Sequence, residues 1–164
     1  MAIHLLIDGY NLLHQIPELS LLMQEDPEAA RQALLSKLRT YQKIKRHKIT
    51  VVFDAWGREE PRTESNQKGI RVIFTAHGEI ADDFIKRVAA KERERVVVIS
   101  SDRAIRSFVE NHGALSMSSR DFLERLELAL YQEMKGEIWD SPYLPSTKRL
   151  PKKVRQRLAK LAKI

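Results

Sequence analysis

Three apolar segments of the sequence run into an aspartate, and these acids are the residues best placed to do chemistry. The segments with their acids span 3–8, 49–54 and 96–102, and in the third segment two serines separate the apolar run from the aspartate. Runs of this length that are apolar throughout and rich in β-branched residues are typical of buried parallel strands. Since ligands of an open parallel sheet bind beyond the carboxyl ends of its strands, the three carboxylates are expected at one edge.

Asp8, Asp54 and Asp102, gathered at one edge, would repel one another unless protons or a cation compensated their charge. The chain has no cysteine and its five histidines are scattered, so the ligands are oxygen atoms that select a hard ion, Mg²⁺ or Mn²⁺. Such a cation neutralises charge on a phosphate and activates water, which is the chemistry of phosphodiester hydrolysis. We expect Asp8 and Asp102 to be direct ligands because they should flank the central strands. Asp54 would be a further ligand or would hold water at the metal.

A fourth acid is expected from a helix. Apolar residues recur from Ala81 at i, i+3, i+4 and i+7 and mark a buried face, which Asp82 flanks and from which Asp83 points away. Asp82 is therefore the favoured partner of the strand-end acids, although an error of a few residues in the helix start would favour Asp83. Each acid also has a structural explanation as a turn, loop, helix-start or helix-cap residue. Those explanations do not account for three strands that end in the same residue type.

The motifs, taken in order, resemble a known family, the NYN domain. They are Asp8-Gly9-Tyr10-Asn11, Phe53-Asp54, Ala81-Asp82-Asp83-Phe84-Ile85 and Ser101-Asp102. More narrowly they resemble the YacP-like, ribosome-associated endoribonucleases, over about residues 1–135. The resemblance implies a PIN-like fold with a parallel sheet of order 3-2-1-4-5. It also implies Mg²⁺- or Mn²⁺-dependent cleavage of single-stranded RNA, specifically messenger RNA at the ribosome. The implied metal ligands are Asp8, Asp54, Asp82 and Asp102, which together with Asn11 would form the catalytic set.

Asn11 falls on the asparagine of the opening motif and has two interpretations. Its amide would orient Asp8 or a water molecule, as groups behind metal ligands do. Alternatively, it caps a helix that starts after the Asp8-Gly9 turn.

Strands and helices alternate along the chain, which indicates a three-layer α/β fold of the PIN-like or Rossmann-like type with a parallel sheet flanked by helices. Further strands are expected at 70–74 and 114–117, and helices at about 27–44, 79–91, 103–111 and 118–134. The polar segment 57–68 contains a proline and is predicted to be a loop. The chain is expected to divide into a nuclease domain, 1–139, and a basic, proline-containing tail, 140–164, with a short amphipathic helix.

A net charge of +7, from 29 Lys and Arg against 22 Asp and Glu, favours a polyanionic partner. The predicted RNA contacts are Arg58, Arg62, Lys68, Arg149, Lys152, Lys153, Arg155 and Arg157. Alternatively, the basic residues after Asp54 belong to a solvated loop, and those of the tail lie on a terminal helix that docks on the domain through its leucines. Tyr10 and Trp56 follow site acids and are candidates for stacking on a base, with core packing as the alternative. No apolar stretch approaches the roughly 20 residues that span a bilayer, and no signal peptide is visible, so a cytoplasmic protein is expected.

Two other function classes compete with a nuclease. A non-catalytic RNA- or ribosome-binding module on the same fold has no reason to gather carboxylates where phosphate must lie. A phosphatase with an aspartate nucleophile usually has Asp-x-Asp after its first strand, whereas this chain has Asp8-Gly9-Tyr10. Neither a P-loop nor G-x-G-x-x-G is present. The RNA target, the number of metals and the oligomeric state are left open by the sequence.

Overall fold

The computed structural model describes residues 3–54, 62–76, 80–135 and 152–164, with only the backbone for 135, 154 and 155. Its strands are β1 (His4–Asp8), β2 (Lys48–Phe53), β3 (Thr63–Gln67), β4 (Ile70–Phe74), β5 (Val96–Ile99) and β6 (Leu115–Met117). Its helices are α1 (Gly9–Leu13), α2 (Pro17–Glu25), α3 (Pro27–Lys45), α4 (Ala81–Glu92), α5 (Arg103–Asn111), α6 (Ser119–Lys135) and α7 (Lys152–Ala162), with a 3-10 turn at Arg93–Arg95.

The strands form one sheet of order β3-β4-β2-β1-β5-β6. All neighbouring pairs are parallel except β3 and β4, which are antiparallel. The five parallel strands therefore follow the expected order 3-2-1-4-5, and the three-layer α/β prediction is confirmed. The strand order differs from the expectation in one respect, since β3 adds a sixth, antiparallel strand at one edge.

The prediction of a loop at 57–68 is wrong for Thr63–Gln67, which forms β3. The strand is polar and mostly exposed, so it has no apolar alternation by which a sequence pattern would identify it. Its stability comes from backbone pairing with β4. The hairpin turn consists of Lys68 and Gly69, both with positive φ (57° and 87°), as a two-residue turn of this kind requires.

Helices cover both faces of the sheet. On one face α1, α2, α3 and α6 pack over alternate strand residues such as Leu5, Val51 and Phe53. On the other face α4 and α5 pack over the intervening residues such as Leu6 and Val52. Because strand side chains alternate between faces, Asp8 and Asp54 continue the series of Leu6 and Val52 and lie on the α4 face.

Most helix boundaries follow from local signals. Asp26 caps α3, since its side chain accepts a hydrogen bond from the Ala29 N–H at 3.1 Å, and Pro27 is the first helical residue. α4, α5 and α6 begin and end close to the predicted positions. α1 and α2 were not predicted, because α1 has only five residues and α2 buries a single residue, Leu19, so neither has a periodic apolar face.

The last helix docks on the α3 side of the sheet. The Tyr41 hydroxyl donates a 2.8 Å hydrogen bond to the carbonyl of Ile164, which is itself buried. Leu161 packs against the same core, and Lys160 bonds the Glu94 carbonyl. The described part of the chain has no helix that combines the length and apolar character needed to cross a membrane.

Candidate active site

Asp8 is the last residue of β1, the strand at the centre of the sheet between β2 and β5. Its carboxylate accepts a hydrogen bond from the Ser100 hydroxyl at 3.2 Å. The same hydroxyl oxygen accepts the backbone N–H of Asp102 at 3.1 Å. Ser100 is fully buried and thus ties the ends of β1 and β5 together. Ser100 is not among the predicted site residues, and its only signal in the sequence is its position between an apolar strand and Asp102.

The four predicted acids act on one another electrostatically. Burial, together with the charges of Asp82, Asp102 and Asp54, raises the pKa of Asp8 to about 6 against the lowering effect of the Ser100 hydrogen bond. Burial also raises the pKa of Asp82, with Asp102 as its strongest charged neighbour and Lys86 opposing the shift. The structure therefore brings the strand-end acids and the helix-borne acid to one edge of the sheet.

Asp102 is both a member of this group and the N-cap of α5. Its Oδ1 accepts the N–H groups of Ala104 at 2.8 Å and Ile105 at 3.4 Å. The structural explanation as a cap is correct, yet these bonds use a single carboxylate oxygen. Capping therefore fixes the orientation of the side chain, and among the described residues it leaves the second oxygen available to a ligand.

Asp82 and Asp83 are adjacent in the first turn of α4 but differ in environment. Asp82 is partly buried and interacts with Asp102 and Asp54, whereas Asp83 is exposed. Helical phase predicted this difference, because residues that flank the buried face of a helix lie over the sheet edge.

Asn11 is not the N-cap of α1, a position that Asp8 occupies. It is the third residue of α1, and its side-chain oxygen accepts the N–H of Ser101 at 2.8 Å and the hydroxyl of Ser119 at 2.6 Å. It thereby joins α1 to the loop after β5 and to the start of α6. Asn11 positions the loop that carries Asp102 and, through Ser100, supports Asp8 indirectly.

Gly9 follows Asp8 and is required by packing. A Cβ at this position would lie 2.5 Å from a ring carbon of Phe53 and 3.0 Å from a methyl carbon of Val51. Both neighbours are buried, so the added methyl group has no space without a shift of the chain.

We therefore expect Gly9→Ala to lower the free energy of unfolding by about 1–3 kcal/mol, the usual effect of overpacking a core. Urea denaturation of the wild-type and Gly9→Ala proteins measures this difference. A Gly9→Ala protein as stable as the wild type would contradict the packing argument.

The acid group fits a hard divalent cation by its chemistry. All donors are oxygen atoms, and the raised pKa of Asp8 indicates negative charge without compensation. Among the described residues, no three His, Cys, Asp or Glu side chains converge closely enough to enclose a metal ion. Carboxylates that repel one another are expected to stand apart, and Mg²⁺ sites commonly keep several waters and use one or two carboxylates.

The predicted RNA contacts are distributed unevenly. Arg62 stacks on the ring of Phe84 in α4, with its guanidinium carbon 5.1 Å from the ring centre, and so lies near the acids. Lys68 lies in the β3–β4 turn, at the opposite end of the sheet from the acids. Lys152, Lys153 and Arg157 belong to α7, and the latter two line a groove beside the start of β6, away from the acid edge. The predicted contacts Arg58 and Arg149, the Arg155 side chain and Trp56 lie outside the described residues.

Comparison with known proteins agrees with this architecture. The family model described as the YacP-like NYN domain matches residues 5–163. A Bacillus subtilis strain 168 protein named "Uncharacterized protein YacP" is 33% identical over 129 residues, which cover 75% of this chain and 74% of that protein.

Two crystal structures of Rae1 (YacP) from Bacillus subtilis are similar to this chain. One has a TM-score of 0.70 and 30% identity, covering 83% of this chain and 79% of that one. The other, a point mutant, has a TM-score of 0.66 and 28% identity, covering 97% and 99%. The family is nuclease-like, in keeping with an RNA-related function. On the extent of the family match and the identity to YacP, the chain belongs to the YacP-like NYN domain family.

Proposed function

We propose that this protein is a Mg²⁺- or Mn²⁺-dependent endoribonuclease that hydrolyses phosphodiester bonds of single-stranded RNA. The observation that carries the proposal is the group of four interacting carboxylates at the carboxyl edge of the sheet, with the pKa of Asp8 raised to about 6. A site that destabilises its own fold by gathering like charges is typical of function rather than of structure.

In this proposal, each acid has a role that follows from its position. Asp8 and Asp102 hold the cation, and Ser100 keeps the Asp8 carboxylate oriented by its hydrogen bond. Asp54 and Asp82 complete the ligand set or hold water close to the phosphate. When bound, the cation would neutralise charge on the scissile phosphate and activate the attacking water.

Two arginines that stack on one aromatic ring of α4 support an RNA substrate. Arg62 and Arg87 both stack on the Phe84 ring, at 5.1 and 5.8 Å from its centre, two residues from Asp82. Guanidinium groups fixed in this way are suited to phosphate oxygens. They would hold the RNA backbone where it leaves the acid edge.

We further propose that the RNA is messenger RNA bound to the ribosome, as the YacP-like resemblance implies, which would place the protein in the cytoplasm. The basic residues of α7 would provide the contact with ribosomal RNA. Adding ribosomes to a cleavage assay tests this step: the proposal expects faster cleavage of translated messenger RNA than of the free transcript. Equal rates would contradict it.

The absence of an enclosing ligand cage among the described residues favours one alternative, a non-catalytic RNA-binding module. The two functions make opposite predictions for EDTA. A nuclease loses single-stranded RNA cleavage in EDTA and regains it with Mn²⁺, whereas a binding module never cleaves.

Asp82 and Asp83 offer a matched pair for testing the site. Asp82→Asn is expected to lower kcat/KM for single-stranded RNA by roughly 100-fold, because it removes a carboxylate from the metal or its water. Asp83→Asn removes the same charge from the adjacent, exposed position and should remain within about threefold of wild type. Equal losses in the two variants would contradict the assignment of Asp82.

A further inference from the structure

The α3 face of the sheet carries a second group of side chains at the edge that holds the acids. We call it the arginine shelf, and it consists of Arg31, Tyr10, Phe53 and Phe74. Phe53 and Phe74 are paired at the ends of β2 and β4 and stack with ring centres 5.4 Å apart. Tyr10 packs on Phe53 at 4.9 Å, and the Arg31 guanidinium carbon lies 5.5 Å from the Phe74 ring centre. The shelf and the acids therefore meet at the end of β2, where Phe53 and Asp54 are adjacent, but lie on opposite faces of the sheet.

Arg31 is held in place but is not fully bonded. It donates to the Tyr10 hydroxyl at 3.2 Å and to the Glu28 carboxylate at 2.6 Å. Its Nε is buried and has no acceptor among the residues that the structure describes. A buried donor without an acceptor is destabilising, so this arrangement is poor as a purely structural contact. It is better suited to a side chain whose hydrogen bonds are completed by a ligand.

The ligand should be an anion that can displace Glu28. The Glu28 side chain is 64% exposed, and an exposed ion pair contributes little, so a stronger acceptor can replace it at small cost. The planar guanidinium of arginine can donate two parallel hydrogen bonds to a phosphate. The attraction between the two charges is also stronger when the guanidinium is partly desolvated than when it is exposed. RNA lying across the carboxyl edge of β1 and β2 would carry successive phosphates from the acids towards Arg31.

We infer that Arg31 binds a backbone phosphate of single-stranded RNA beside the scissile phosphate, with Tyr10 as a positioning residue. The inference rests on the proposed function, because the acid edge defines which phosphate is cleaved. Tyr10 acts through its hydroxyl, which keeps the guanidinium at the edge of the sheet.

Binding is tested separately from cleavage by using Asp8→Asn protein as the parent. The probe is a fluorescent, single-stranded oligouridylate of about 12 nucleotides, within the size range that single-strand sites cover. Adding Arg31→Gln should weaken binding about 10-fold and reduce the slope of log affinity against log salt by about 0.7, as expected when one phosphate contact is lost. Arg31→Lys should keep most of the slope, and Glu28→Gln should tighten binding.

Lys43→Gln is the matched control. It removes one positive charge from the same helix, 12 residues and therefore about 18 Å further along, at the other end of the sheet. It should leave the salt slope unchanged. An unchanged slope for Arg31→Gln, or equal reductions in both variants, would overturn the inference. Glu28→Gln provides the test if Arg31→Gln fails to fold. Tighter RNA binding by Glu28→Gln then supports the inference, and unchanged binding overturns it.

In the wild-type protein, Tyr10→Phe should raise KM for RNA severalfold and leave kcat nearly unchanged, since it removes only the hydroxyl that positions Arg31. A fall in kcat with constant KM would contradict this role. Failure of wild-type protein to cleave RNA would refute the proposed nuclease, whereas loss of the Arg31 effect on binding would refute only the shelf.

Discussion

Replacing Asp8 with asparagine is expected to stabilise the metal-free protein at neutral pH. The pKa of Asp8 is about 6 in the folded protein against 3.8 in a model peptide, mainly because burial and the charge of Asp82 oppose ionisation. A raised carboxyl pKa means that the folded state binds protons more tightly than the unfolded state. Above pH 6, where Asp8 is ionised in both states, the free energy of unfolding is therefore lower by about 3 kcal/mol than it is below pH 4. This figure corresponds to about 1.4 kcal/mol per pKa unit.

The pH dependence follows from the same shift. The stability associated with protonated Asp8 is complete below pH 4 and is lost as the pH rises from about 4 to about 6. In EDTA, Asp8→Asn and wild-type protein should be similarly stable near pH 4. Near pH 7 the variant should be more stable by about 2–3 kcal/mol.

Urea denaturation of both proteins at the two pH values measures this difference, and Asp121→Asn, on the exposed start of α6, is a suitable control that should show no such gain. Saturating Mn²⁺ should stabilise the wild type more than Asp8→Asn, because a cation compensates the charge that asparagine lacks. An Asp8→Asn protein less stable than wild type at pH 7 in EDTA would contradict the electrostatic account.

Asn11→Ala is expected to have the second large effect, on stability and cleavage together. It leaves the N–H of Ser101 and the hydroxyl of Ser119 without their acceptor, and Ser119 is fully buried. Two unsatisfied donors of this kind cost about 2–4 kcal/mol. Cleavage should fall at least 10-fold, because the loop that carries Asp102 loses its anchor.

A double-mutant cycle separates this positioning role from general destabilisation. Ser119→Ala removes one of the two donors, so the combined Asn11→Ala and Ser119→Ala variant should be about 1 kcal/mol more stable than the sum of single effects predicts. Urea denaturation of the four proteins gives the coupling. Strictly additive effects would contradict the hydrogen bond between Asn11 and Ser119.

The parts of the fold that sequence analysis predicted are those with a strong periodic signal. The apolar parallel strands and the amphipathic helices α3, α4, α5 and α6 have such patterns. β3 was missed because a polar edge strand is held by backbone hydrogen bonds, which side-chain patterns do not encode. α1 was missed because it is a single short turn of helix, and α2 because it buries only Leu19 and depends on packing against α3.

The site residues that the sequence predicts are those whose positions follow from the ends of strands or from helical phase. Asp8, Asp54 and Asp102 follow from the rule that parallel strands end at one edge, and Asp82 from helical phase. Ser100 and Arg31 were missed because their roles depend on side-chain contacts between segments far apart in sequence. Asn11 was identified as a supporting residue, but its partners are Ser101 and Ser119 rather than Asp8.

The central claim is that the carboxylate edge cleaves RNA with the help of a divalent cation. The most direct measurement is the rate of single-stranded RNA cleavage by purified wild-type and Asp8→Asn proteins during a Mn²⁺ titration that ends in excess EDTA. We predict that wild-type cleavage rises with Mn²⁺, stops in EDTA, and is reduced at least about 1000-fold in Asp8→Asn at every Mn²⁺ concentration. Cleavage by Asp8→Asn at the wild-type rate, or wild-type cleavage that persists in EDTA, would contradict the claim.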